Sequence, residues 1–192
     1  MRELTQPMVL ASASPRRQEL LGFYGIPFEV VPSCADEEAF GTGKEQVRQL
    51  AVRKCEEVAA RYPGRVVLAA DTLVCVGDQV LGKPHDEEDA LRMLRLLSGR
   101  EHQVHTGVCL ACPDGQRLVE VATTKVTFLS VEDALLRRYI ATGEPMDKAG
   151  AYAIQGRAGA FISSIEGSPT NVIGLPLEVL TDLFTRLELP LF

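Results

Sequence analysis

The chain has no apolar run long enough to span a bilayer. Its opening residues, MRELTQPM, contain no signal-peptide h-region. The expectation is a soluble, cytoplasmic protein without a membrane partner. A basic excess is missing too: 20 Lys and Arg stand against 26 Asp and Glu, for a net charge of −6. That balance argues against a nucleic-acid polymer as partner. The five cysteines are odd in number and irregularly spaced, which points to reduced thiols rather than a disulfide framework. Cys109 and Cys112 form one CxxC, but no second CxxC follows, so zinc or redox chemistry is the lesser reading of that pair. His102 and His105 are three apart in an expected strand and should face opposite ways, which argues against a joint metal site. Internal repeats, low-complexity segments and long linkers are all absent.

What is present fits one α/β domain, or two small lobes sharing a core, in 192 residues of which 46% are hydrophobic. Strands and helices alternate. Short strands are expected at 9–11 and 28–31, a loop rich in acidic residues at 34–43, and a helix over 44–62. A buried strand over 66–70 should end at Asp71, and a hairpin over 72–81 should turn near Gly77-Asp78. Asp86 should cap a helix to Leu97, and long strands are expected at 101–112 and 117–128. Ser130 and Asp133 read as a capping box for a helix to Thr142, a Gly-rich stretch covers 147–167, and a last helix runs from near Pro176 to Leu187. The fold class expected is α/β, a mixed twisted sheet with flanking helices.

The most informative segment is LASASPRRQELL, residues 10–21. Small residues Ser12, Ala13 and Ser14 leave the backbone approachable. Ser14 can cap a helix, Pro15 suits its first turn, and Arg16 and Arg17 fall inside that turn. Two cations oppose the positive end of a helix dipole unless an anion joins them, so the segment reads as a phosphate site or as two solvated arginines. On an anionic protein, phosphate binding requires a local basic cluster, aided by a divalent cation.

Other residues carry similar alternatives. Lys54 lies on the apolar seam of its helix and either snorkels to water or meets an anion in a cleft. Asp71, expected at the carboxyl end of a strand, is a metal ligand or base, or else a turn former. Lys83, in Gly82-Lys83-Pro84, has the setting of a positioned cation. Glu37, in the run 36–38, is a solvated surface residue or a second oxygen ligand to a divalent ion. Gln155 has the donor and acceptor to read a base edge, or to stabilise its own loop. The run 171–176 reads as structural packing.

Taken together and in order, LASASPRRQELL, AADTLVCVGDQVLGKP, SGREHQVHTGV and DKAGAYAIQGRAGAFISSIEGSPTNVIGLPL resemble the Maf family of nucleotide pyrophosphatases, with weaker likeness through ADEE and VRKCEEV. The resemblance covers most of the chain. It implies a Maf/ITPase-like fold with two lobes around a central cleft, here as a single domain over 1–192. It also implies hydrolysis of a nucleoside triphosphate to the monophosphate and diphosphate, with a divalent metal cation, Mg²⁺ or Mn²⁺. Asp71 matches the family's catalytic acidic residue. Ser12, Arg16, Arg17, Lys54 and Lys83 match its phosphate-side residues, and Glu37 matches an acidic cleft position that would share the metal with Asp71. Arg16, Thr72 and Gln155 stand where the 7-methyl-GTP type has an aromatic, Gln and Glu, so the chain is similar to the dTTP/UTP pyrophosphatase subfamily. A neutral pyrimidine suits an amide, and a cationic methylated guanine suits a carboxylate. Ser168-Pro169-Thr170 departs from the family, which commonly has a bulkier residue before Asn171. Three alternatives stay open at this point: a 7-methyl-GTP enzyme, a broader nucleotide pyrophosphatase, and a nucleotide-binding regulator of cell division with little catalysis. A homodimer is in keeping with the family, although the sequence carries no interface signature.

Overall fold

The computed structural model describes residues 4–191. Its centre is a seven-stranded sheet in the order β2-β1-β3-β5-β6-β7, with β4 paired to β3 off that path. β1 (Met8–Leu10) lies parallel between β2 (Phe28–Val30) and β3 (Val67–Val76). Parallel neighbours need a crossover, and helices α1 (Pro15–Gly22) and α2 (Gly43–Arg61) supply the two connections. β4 (Gln79–Leu81), β5 (Glu101–Ala111), β6 (Arg117–Phe128) and β7 (Ile162–Glu166) are antiparallel to their partners. The sheet is therefore mixed, as expected.

Alternation along β3 sorts its side chains between two faces. Val67 and Ala69 pack with Cys109 beneath α2. Gly107 makes that packing close: a Cβ there would lie 2.2 Å from the Val47 carbonyl oxygen, so α2 crosses β5 at backbone distance. The other face carries two separate apolar cores. Leu68, Ala70, Val108 and Leu110 pack against α1 and α6 (Leu177–Arg186). Val74, Val104 and Val126 pack against α3 (Glu87–Leu97) and α4 (Asp133–Ile140). Between those cores, β3 and β5 contribute Thr72 and Thr106 in register. The two expected lobes take this form, two cores at opposite ends of shared long strands with a polar layer between.

The same division interrupts the sheet. β1 accompanies β3 only as far as Leu68, and β4 joins the same edge only at Val74. Main-chain groups of Val66 and Leu68 point to this edge, where their carbonyls accept from the Val9 and Ala11 N–H groups at 2.8 Å. By alternation, Ala70 and Thr72 point there too, and no strand among the described residues lies beside them. A cleft opens at that gap.

Several sequence expectations need correction. β3 does not end at Asp71 but continues to Val76, so Asp71 sits in mid-strand. The polar pair Asp71-Thr72 marks the gap in the sheet rather than a strand end. The Ser130–Asp133 capping box does not form: α4 has Glu132 at its N-cap and no side-chain cap. The Ser98 hydroxyl bonds the Val131 N–H and carbonyl instead, at 2.8 and 3.2 Å, and this fixes where the chain can turn into the helix. The Gly-rich stretch contains β7 and two short 3-10 turns, and a third such turn ends at its first residue, Asp147. A five-residue helix, α5 (Pro169–Ile173), overlaps the start of the run 171–176 read as packing.

Candidate active site

The cleft has a volume of about 600 Å³ and draws on both lobes. Every residue singled out above for substrate, metal or catalysis lines it: Ser12, Arg16, Arg17, Glu37, Lys54, Asp71, Thr72, Lys83 and Gln155. They come from the β1–α1 turn, the first turn of α1, the loop before α2, α2 itself, β3, the turn after β4, and the loop before β7.

The β1–α1 turn forms as its sequence dictates. Ser14 is the N-cap, its side chain accepting from the Arg17 N–H, and Pro15 occupies the first turn. Arg17 is then drawn across the cleft floor. Its Nε donates to the Gly174 carbonyl at 2.8 Å, Nη1 to Ser12 Oγ at 3.2 Å and Nη2 to Thr72 Oγ1 at 3.0 Å. A guanidinium has five N–H groups, so one on each terminal nitrogen is left, the pair that suits two phosphate oxygens. Burial lowers the Arg17 pKa below its ordinary value, against the opposing pull of Asp71, while Arg16 adds to the lowering. Gly174 holds its carbonyl in place with φ of +122°, which favours glycine. The run read as packing thus helps to build the site.

Lys54 does not snorkel. Its ammonium donates to Asp71 Oδ1 at 2.6 Å and to Glu37 Oε1 at 2.7 Å. The Lys54 and Asp71 side chains are only 14% and 11% exposed, whereas Glu37 is 73% exposed, so the inner pair has little solvent screening. Burial alone would lower the Lys54 pKa, but the charge of Asp71 and hydrogen bonds to both carboxylates raise it overall. The Lys54 hydrogen bond, and then its charge, hold Glu37 below the usual carboxylate range.

Arg16, Lys83 and Gln155 reach the same space without a hydrogen bond or ion pair among the described residues. Lys148 joins them as a further cation, its side chain 13% exposed and paired with Asp147. The sequence reading passed over Lys148, since one lysine among small residues carries no local signal. Tyr152 also lines the cleft, and its hydroxyl lies 2.8 Å from Nε2 of buried His102.

No cluster of three or more His, Cys, Asp or Glu side chains suited to a metal occurs among the described residues. The cleft offers Asp71 and Glu37, each with one oxygen engaged by Lys54. A two-carboxylate oxygen set fits Mg²⁺ or Mn²⁺ completed by phosphate oxygens and water, and does not fit a soft metal. The CxxC side chains do not converge: Cys109 packs in the core beneath α2 against Cys55, whose hydrogen bond raises its pKa, and Cys112 packs in the core beside α6. His102 and His105 do face different surroundings, His102 meeting Tyr152 and His105 bonding Thr123.

Comparison with known proteins finds related sequences and a shared fold over nearly the whole chain. Residues 7–187 match the family described as Maf-like protein. A dTTP/UTP pyrophosphatase of Anaeromyxobacter dehalogenans (strain 2CP-C) is 50% identical over 187 residues, covering 96% of this chain and 95% of that protein. A dTTP/UTP pyrophosphatase of Thermococcus gammatolerans is 51% identical over 176 residues, covering 92% and 94%. Among solved structures, the Staphylococcus aureus Ham1 protein shares the fold with a TM-score of 0.56 at 15% identity, covering 94% of this chain and 99% of that one.

Proposed function

The chain belongs to the Maf family, and from that premise we propose that it is a nucleoside triphosphate pyrophosphatase that hydrolyses dTTP and UTP to the monophosphate and diphosphate. Relatives of about half-identical sequence over nearly the whole chain carry that name. The observation that carries the reading is Asp71, a buried carboxylate tied to Lys54 and placed beside Arg17 in a cleft of cations, on a protein whose net charge is −6. We take residues 1–192 as one domain acting in the cytoplasm. No helix among the described residues is long and apolar enough to cross a membrane.

Water attacks the α-phosphorus, a P–O bond to water forms, and the bond to the bridging oxygen of the diphosphate breaks. Lys54 occupies Asp71 Oδ1, which leaves Oδ2 to orient the water and accept its proton. Negative charge grows on the nonbridging oxygens and on the departing diphosphate. The two remaining N–H groups of Arg17 neutralise it, while Arg16, Lys83 and Lys148 draw the phosphate chain into the cleft and hold it there. Ser12 Oγ accepts from the Ser14 N–H and from Arg17, so its own hydrogen is available to a phosphate oxygen. Asp71 and Glu37 would hold a Mg²⁺ or Mn²⁺ ion, which supplies Lewis acidity and charge neutralisation. Gln155, without a hydrogen bond among the described residues, offers its amide to the pyrimidine edge.

The test is product analysis with Mn²⁺ across dTTP, UTP, CTP, ATP, GTP and 7-methyl-GTP. Diphosphate and monophosphate in equal amounts, greatest from dTTP and UTP, support the reading. Release of orthophosphate alone, or preference for 7-methyl-GTP, overturns it, and saturable binding without release favours a regulator.

A further inference from the structure

Hydrogen-bond accounting around Arg17 leads beyond the cleft wall. Thr72 and Thr106 are cross-strand partners on β3 and β5, their hydroxyl oxygens 2.9 Å apart. Thr106 Oγ1 also lies 3.1 Å from the Asn171 carbonyl, which can only accept. A hydroxyl has one hydrogen, so Thr106 donates it to Asn171. The bond between the threonines must then run the other way, from Thr72 to Thr106. Thr72, with its own hydrogen committed, can only accept from Arg17 Nη2. The chain of donors has a single direction, Arg17 to Thr72 to Thr106 to the α5 backbone.

Its far end is rigid. Thr106 is fully buried and does not line the cleft. Asn171 is also fully buried, and its Nδ2 donates to the Val104 carbonyl at 3.0 Å and to Thr124 Oγ1 at 2.9 Å. The α5 segment that anchors Thr106 also ends at Gly174, whose carbonyl takes Arg17 Nε. Two of the three bonds on the guanidinium therefore lead back to one short helix, by two routes.

We propose that Thr106 is a positioning residue for Arg17: by fixing the direction of the Thr72 hydroxyl it sets the guanidinium plane that meets the phosphates. Thr72 on this account serves the substrate through Arg17 and donates nothing to the base. The proposal rests on the pyrophosphatase reading for its kinetic consequence. A guanidinium held before the reaction stabilises charge as it develops without reorganising. Loss of that alignment reaches turnover more than substrate affinity.

The experiment places Thr106→Val and Thr106→Ser in the parent and in an Arg17→Lys background, since lysine cannot make the three directed bonds. Steady-state kinetics on dTTP, melting temperature, and calorimetric affinity for inorganic diphosphate with Mn²⁺ are measured for each. Thr106→Val should lower kcat about tenfold with KM within about twofold, and weaken diphosphate several-fold, while Thr106→Ser stays within about twofold of the parent. In the Arg17→Lys background, Thr106→Val should cost less than about a further twofold. An equal cost in both backgrounds, or a Thr106→Ser variant as impaired as Thr106→Val, overturns the proposal. If Thr106→Val does not fold, Thr72→Val interrupts the same chain and is judged by the same criteria. A parent enzyme that makes no diphosphate from dTTP or UTP sinks the pyrophosphatase reading instead, and the diphosphate affinities still decide the role of Thr106.

Discussion

Arg17, Lys54 and Asp71 are bonded to their neighbours before any ligand arrives, whereas Arg16, Lys83 and Gln155 face the same space with no protein partner among the described residues. The contrast follows from where each side chain starts. The bonded group rises from a helix N-terminus, a helix packed on the sheet, and a central strand, all anchored by apolar cores. Lys83 and Gln155 stand on a turn and a loop at the rim, and Arg16, although it shares the first turn of α1 with Arg17, meets none of the acceptors that hold Arg17. Preorganised charges stabilise a developing charge without rearrangement. Unpartnered side chains lose freedom on binding and adapt to what they meet. One half of the cleft is thus suited to chemistry and the other to capture and choice.

Substitutions can break this division, and the largest effect should come from Asp71. Asp71→Asn should reduce dTTP turnover by roughly 10²–10⁴-fold while nucleotide affinity, read by calorimetry, changes little. Near-normal turnover would remove Asp71 from the chemistry. Next is Lys54→Met, which leaves a buried carboxylate without its cation. It should cost about 3 kcal/mol, seen as a melting temperature lower by roughly 6–12 °C, in addition to lost activity. Arg16→Ala and Lys83→Ala should instead raise KM for dTTP about tenfold and leave melting within about 1 °C. If these rim variants melt as early as Lys54→Met, the two halves are not distinct. Gln155→Glu should lower kcat/KM for dTTP and UTP about tenfold at unchanged stability.

A last effect, on stability and not on turnover, concerns acid conditions beside the cleft. Burial pushes His102 down to about 4 from its ordinary 6.5, and its Nδ1 has no hydrogen-bond partner among the described residues. The unfolded chain therefore binds the extra proton between about pH 6.5 and 4, and stability falls as pH falls through that window. The full shift corresponds to about 3 kcal/mol. Denaturant titrations of the parent should show this slope, and His102→Gln should flatten it. An unchanged slope would place the acid sensitivity elsewhere.

Much of the fold and most of the cleft were legible because their signals are local. Ser14, Pro15 and the arginine pair announce a helix start, and Gly77-Asp78 announces a hairpin. Lys54 was visible as a charge on an apolar seam, but its partner was not, since the pairing is 17 residues long-range and depends on α2 crossing β5 at Gly107. The continuation of β3 through Asp71 was hidden because two polar residues inside a strand look like its end. α5 had a readable cue: Ser168-Pro169 repeats the cap-and-proline start of Ser14-Pro15. The Arg17 contact with Gly174 spans 157 residues and has no local cue. Lys148 gained meaning only when its loop folded back over the cleft.

The break between β1 and β4 along β3 also bears on aggregation. Unaccompanied strand edges invite pairing with strands of other chains and seed aggregation. Here the bare interval from Leu68 to Val74 is about 20 Å long at roughly 3.3 Å per residue. It is walled at one end by β1 and at the other by β4, so an invading strand would have to evict one of them. A compact heterocycle bearing amide-like groups needs to evict neither.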